Sequence, residues 1–128
     1  MKNAEQIRLL EEKTAELGIV HALHTLYGNG IHVEIGFSAS SLEMPLDEIS
    51  FSVRSMNALK RAGMFTVGDV VKILNDGDLM QVRNLGRKSA NEIKTRILDY
   101  GFDELEADSK QKFYDDIVRL NPQCGNYG

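Results

Sequence analysis

The run Val82-Arg83-Asn84-Leu85-Gly86-Arg87-Lys88-Ser89-Ala90-Asn91-Glu92-Ile93-Lys94 reads as a glycine hairpin opening a helix whose first turn is basic. A helix start offers unpaired backbone N–H groups and the positive end of its dipole, and together these suit a phosphate. Gly86 removes the side chain that would keep a phosphate backbone at a distance. Arg87 and Lys88 add positive charge where an anion already sits well. Ser89 can bind phosphate through its hydroxyl and amide, or cap the helix, and the two roles are compatible.

A second polar cluster lies upstream. Ser52 can cap a helix from Val53 to about Ala62, with Val53, Met56, Leu59 and Ala62 expected on its buried side and Gly63 as its stop. Arg54, Asn57 and Arg61 then share the opposite face. Arg54 is free to act outward or to form a surface ion pair with Glu92 or Asp69. Glu92 itself is expected either to orient Arg54 or Lys88 or to be an ordinary exposed helix residue.

The elements that must position these groups are helices. Thr66 followed by Asp69 is a capping-box start for a helix through Asn75, with Val67, Val70, Val71 and Leu74 as its apolar stripe. Asp76-Gly77-Asp78 opens a short turn holding Leu79, Met80 and Val82. The helix after Gly86 runs from about Arg87 to Tyr100, with Ala90, Ile93, Ile97 and Leu98 inward and Gly101 as its expected end. Helix, glycine connection, helix thus occurs twice, around Ala62-Gly63-Met64 and around Asn84-Leu85-Gly86.

Outside this block, Ala4 to Leu17 fits a helix with Ile7, Leu10 and Leu17 inward, interrupted by Gly18. Ile19 to Tyr27 is expected to be a second helix, followed by the Gly28-Asn29-Gly30 tip and a short strand over Ile31-His32-Val33-Glu34-Ile35, although a hairpin fits the same residues. Ser38-Ala39-Ser40-Ser41 reads as a linker. A last helix starts at Asp108 or Ser109, carries Phe113, Ile117 and Leu120, and stops at Asn121-Pro122. The expected fold class is mainly α: a compact helical domain with two helix-hairpin-helix-like units, an extra N-terminal helix and short-strand segment, and a C-terminal helix.

Composition narrows the function. At 128 residues and 42% apolar, the protein can bury one core without disulfides or metal. Cys124 is its one cysteine, which excludes an intrachain disulfide and a cysteine-built zinc site. His21, His24 and His32 lack a convincingly placed fourth ligand. No nucleophile has a recognisable base nearby, and the glycine turn lacks a nucleotide-binding pattern, so neither enzyme nor cofactor is expected. No apolar run approaches a membrane span and the N-terminus is charged, which places the expected location in the cytoplasm, at the nucleoid. The net charge is −4, but residues 50–96 carry nine basic and four acidic side chains, a balance of +5, against −9 for the remainder. A basic centre between acidic flanks is compatible with phosphate binding on one face.

From Pro45 to about Leu105 the sequence closely resembles the C-terminal domain of the bacterial RNA polymerase alpha subunit. The resemblance rests on Pro45-Leu46-Asp47-Glu48-Ile49, Ser52-Val53-Arg54-Ser55-Met56-Asn57-Ala58-Leu59-Lys60-Arg61-Ala62-Gly63, Thr66-Val67-Gly68-Asp69-Val70 and the Asn84–Lys94 hairpin helix. It implies a non-catalytic helical domain that binds the minor groove of A·T-rich DNA upstream of promoters and meets transcription activators. By positional match, the family's DNA-contacting residues fall on Arg54, Asn57, Gly86, Lys88, Ser89 and Glu92. Ala58 stands where cysteine is common. Ser50 stands where some members carry an acidic residue used against sigma factor. Nothing resembles the alpha subunit's N-terminal assembly domain, so the expectation is a freestanding relative. An interaction adaptor that binds an activator or polymerase subunit without useful DNA affinity is the alternative.

The expected organisation is an N-terminal helical extension over 1–41, a DNA-binding domain over 42–105, and a C-terminal amphipathic helix with a tail over 106–128. The outer helices either cap the central core or pair with another copy, and a homodimer would raise the effective concentration of two weak binding domains. Light scattering at tens of micromolar then gives twice the monomer mass; a single-copy mass at that concentration removes the dimer.

Overall fold

In the computed structural model, residues 2–28, 36–77 and 79–121 are described. The short strand expected at Ile31–Ile35, the Gly28-Asn29-Gly30 tip beyond Gly28, Asp78, and the tail with Cys124 lie outside the described residues. The helices are α1 (Lys2–Leu17), α2 (Ile19–Tyr27), α3 (Ala39–Leu42), α4 (Val53–Arg61), α5 (Val67–Asp76), α6 (Arg87–Asp103) and α7 (Ala107–Leu120). Single 3-10 turns cover Leu46–Glu48 and Leu79–Gln81. No helix among the described residues is long and apolar enough to cross a membrane.

The protein divides into two compact units, one built from 37–101 and the other from 1–36 together with 102–128. In the central unit, Leu46, Leu59, Val67, Val70, Leu79, Ile93 and Ile97 are almost fully buried and form one core. This is the part of the sequence that holds every candidate site residue.

Local chemistry explains most of its elements. The Ser52 hydroxyl accepts from the Ser55 amide at 3.2 Å and caps α4. At the other end of α4, Gly63 is left-handed at φ 76°, Met64 N donates to Leu59 O and Gly63 N donates to Lys60 O, both at 3.0 Å. That is a Schellman closure, with Met64 buried against the core. α5 begins with a complete capping box: Asp69 N donates to Thr66 Oγ1 at 3.2 Å and Thr66 N to Asp69 Oδ2 at 3.1 Å. Phe65 N donates to the same carboxylate at 2.8 Å. An antiparallel bridge then ties the two approaches together, with Leu46 N on Phe65 O and Val67 N on Met44 O, each at 2.9 Å.

Several expectations need correction. Ser38–Ser41 is not a plain linker: Ser38 caps the helical turn α3 by accepting from Ser41 N at 3.1 Å, and Ser41 is buried. Serine hydroxyls that bond nearby amides give the backbone this local alternative to a loop. On α4 the buried side is Ser55, Ala58 and Leu59, whereas Val53 is 78% exposed and Ala62 is also exposed. The inward face is thus rotated to include a serine, because Ser55 has a polar partner waiting in the interior. In the second hairpin the left-handed residue is Asn84, at φ 67°. Asparagine tolerates that region better than most residues.

Gly101, expected to end α6, does not stop it but lies buried within it. A Cβ at Gly101 would sit 2.6 Å from Cζ of Phe37. The glycine is required by that ring, which lies against the helix backbone, and not by a turn.

The other unit has its own core. α1 packs against α2 and α7, burying Leu10, Leu23, Leu26, Ile117 and Val118. Phe102, Phe113 and Tyr114 form an aromatic cluster with centroid separations of 5.3–6.3 Å. Leu17 and Leu120, expected to face inward, are 39% and 36% exposed, since each ends its helix.

Replacing an interior helical glycine by alanine ordinarily stabilises by about 1 kcal/mol. Gly101→Ala is expected to do the reverse, losing about 1–3 kcal/mol through overpacking against Phe37. Thermal unfolding of wild type and variant decides the sign, and a raised melting temperature contradicts the packing assignment.

Candidate nucleic-acid interface

The site is organised by one carboxylate. Glu92 lies in the second turn of α6 and reaches the start of α4, 40 residues earlier in the sequence. Its Oε2 accepts from Ser52 N at 2.9 Å, and its Oε1 accepts from the Ser52 hydroxyl at 2.8 Å and from the Ser55 hydroxyl in a short contact. Ser55 has no exposed surface. The buried serine that disturbs the apolar face of α4 therefore exists to meet Glu92.

Helical spacing shows what this contact brings together. Lys88 and Ser89 lie four and three residues before Glu92, so they share its face of α6, the face turned to the start of α4. Arg87 begins α6 roughly 7.5 Å along the axis from Glu92, at 1.5 Å per residue. Arg54 sits between the two serines that Glu92 holds. Arg54 and Asn57, three apart on α4, are both exposed, as are Gly86, Arg87 and Lys88. Ser89 and Glu92 are half-buried.

The two helix starts are not equivalent. Glu92 accepts from the amide of Ser52, the cap residue of α4, and places a negative charge at that helix start, where it offsets the positive end of the dipole. α6 begins instead after Gly86, which has no side chain to accept from the amides that follow. The start of α6 thus has no protein carboxylate placed on it as α4 has in Glu92.

Glu92, expected to orient Arg54 or Lys88, spends its hydrogen-bonding capacity on Ser52 and Ser55. Asp69, the other carboxylate considered for Arg54, is engaged in its own capping box. Among the described residues, Arg54 and Lys88 form no ion pair. Gly86 is the most informative position. It is not left-handed, and a Cβ built there meets nothing within 4 Å. Among the described residues no contact calls for glycine at 86, and the space beside it is open.

Ser55 is absent from the residues that sequence spacing singles out. Its signal was available as an alternative inward register, Ser55, Ala58, Leu59, in place of Val53, Met56, Leu59.

Residues 37–99 match the family described as the C-terminal domain of the bacterial RNA polymerase alpha subunit. The DNA-directed RNA polymerase subunit alpha of Symbiobacterium thermophilum is 43% identical over 67 residues, which is 52% of this protein and 21% of that subunit. The central unit is a relative of the alpha C-terminal domain. The protein spans about a fifth of the length of this curated alpha subunit. No solved structure matches it. The matched segment coincides closely with the central unit and includes Glu92, Ser52 and Ser55, so the clamp lies wholly inside the alpha C-terminal-like domain.

Partial burial acts to raise the Glu92 carboxyl, but the hydrogen bonds from Ser55 and Ser52, with Arg96 nearby, outweigh it and hold the group below the ordinary glutamate range. A carboxylate whose folded pKa is depressed stabilises the fold fully above its unfolded value, about 4.3, and loses that contribution as pH falls through the lower folded value. Asp69 is shifted the same way, by the Phe65 and Thr66 amides. Unfolding measured between neutral and acid pH is expected to lose stability below about pH 4.3 in wild type, with a shallower loss in Glu92→Gln and the remaining slope due in part to Asp69. An unchanged slope in Glu92→Gln contradicts the clamp.

Proposed function

We propose that the central unit is a DNA-binding module acting in transcription, which docks the start of α6 and the outer face of α4 on the minor groove of A·T-rich duplex. The observation that carries this reading is the combination at one surface of an open helix start after Gly86, exposed Arg54, Asn57, Arg87 and Lys88, and a glycine that no internal contact demands. Similarity of residues 37–99 to the alpha C-terminal domain supports it.

Each residue has a physical task. The Arg54 guanidinium enters the negative potential of a narrow groove, and the Asn57 amide meets base-edge acceptors. Lys88, Ser89 and the first amides of α6 hold a backbone phosphate, with Gly86 allowing the sugar-phosphate strand to come close. Glu92 touches no DNA in this arrangement and sets the position of α4. Few phosphate contacts give weak binding, with Kd of order 10⁻⁴–10⁻⁶ M at physiological salt. Useful occupancy then requires tethering through polymerase, an activator or a second copy.

The adaptor reading keeps one specific observation in its favour. Outside residues 50–96 the protein has a net charge of −9, which opposes non-specific attraction to DNA.

Titration of A·T-rich and G·C-rich duplexes across a salt series separates the two. The DNA reading predicts preference for A·T-rich duplex and a negative log-log salt slope. Arg54→Ala weakens binding about tenfold, and Lys88→Ala reduces the slope by about one unit. Gly86→Thr, which caps a helix about as well as glycine, preserves the melting temperature and weakens binding. Absence of binding at low salt, or equal binding by Arg54→Ala, leaves the adaptor reading.

A further inference from the structure

We infer that Ser55 is a positioning residue for DNA binding, fixing the start of α4 to α6 through Glu92 so that Arg54 and Lys88 present themselves at one set spacing. The inference rests on the DNA reading above and adds a residue that touches no DNA to the set that governs affinity.

The argument begins from an energetic oddity. A serine with no exposed surface gains nothing from burial and costs desolvation unless its hydroxyl is well used. Alanine would fit the same helix with better propensity. The hydroxyl of Ser55 is spent on a carboxylate 37 residues away, on a different helix. Hydrogen bonds to an ionised acceptor are stronger and more directional than neutral ones.

The bond also removes a degree of freedom. Ser52 alone holds Glu92 at the cap, with an amide and a hydroxyl that both belong to one residue at the exposed mouth of the site. Such a pair leaves the first turn of α4, ahead of the packed Ala58 and Leu59, freer to shift than the rest of the helix. Ser55 adds a second anchor one turn further in, on the inward side of α4, and two anchors along a helix fix its rotation. Arg54 is the residue between the anchors, and any rotation of α4 changes the direction in which it leaves the helix. Lys88 stands one turn before Glu92 on α6 and is unaffected by that rotation. Ser55 therefore controls the relation between the two cations rather than either cation alone.

The test uses the full-length protein and an A·T-rich duplex, with Ser55→Ala, Glu92→Gln, Arg54→Ala and the double variant Ser55→Ala with Arg54→Ala. Ser55→Ala is expected to bind about fivefold more weakly, within the usual range of coupling between contacting residues. Its effect shrinks to well under fivefold in the Arg54→Ala background, because only Asn57 is then left on α4 to misdirect. A purely structural role lowers the melting temperature yet leaves affinity unchanged at temperatures where both proteins are folded. Wild-type affinity in Ser55→Ala overturns the inference, as does a full fivefold loss persisting beside Arg54→Ala. Should Ser55→Ala not fold, Glu92→Gln supplies the same comparison, with loss of affinity beside an intact Arg54 and a much smaller one without it. Binding lost in Arg54→Ala but untouched in Ser55→Ala and Glu92→Gln rejects this inference alone. A wild type that binds no duplex rejects the DNA reading and this inference with it.

Discussion

A carboxylate placed at the start of a neighbouring helix is the constraint on which the central unit turns. Glu92 on α6 accepts from the amide and hydroxyl of Ser52, which caps α4, and from the hydroxyl of Ser55 within it. A lone helix start would leave those donors to water, and a lone half-buried glutamate would lose solvation without return. Joined, each removes the other's penalty. The same contact sets two helices, separated by a hairpin, α5 and a second hairpin, into a definite mutual position. It also makes the two helix starts unlike, since α4 carries the Glu92 carboxylate at its cap and α6 follows the bare Gly86.

This division makes sense of the charge pattern. Residues 50–96 hold four acidic side chains. Asp69 caps α5 and Glu92 clamps α4, so two of the four are turned to internal donors. Arginines and lysines of the same stretch are exposed. A protein of overall negative charge can thus present a local positive face, since half of its few carboxylates there are taken up at helix starts.

Legibility of the fold from sequence followed the range of each interaction. The cap at Ser52, the capping box of Thr66 and Asp69, and the stop at Gly63 were readable because every partner lies within a few residues. Arg54, Asn57, Gly86 and Lys88 were legible as residue types at telling spacings. The bond from Ser55 to Glu92 was not, since no local pattern links positions on different helices. Val53 misleads for a related reason: at the first helical position an apolar residue can point outward while the inward side is taken by a serine with a distant partner. Gly101 misleads in the same way. Its preference for helix ends is local, whereas the Phe37 ring that requires it inside the helix belongs to a segment more than sixty residues earlier. The serines at 38 and 41 are local and still escape a reading by composition, because serine clusters mark loops and short caps alike.

The outer unit is assembled from the two ends of the sequence, with α1 packed against α7. On a ribosome, synthesis proceeds from the N-terminus, and domains tend to fold as units when their last residue has emerged. Residues 37–101 hold all they need for their core before Phe113, Tyr114, Ile117 and Val118 exist. α1 and α2 must wait, with Leu10, Leu23 and Leu26 uncovered, until α7 has been made. The nascent polypeptide thus acquires its basic, hairpin-bearing unit before it can close the acidic companion.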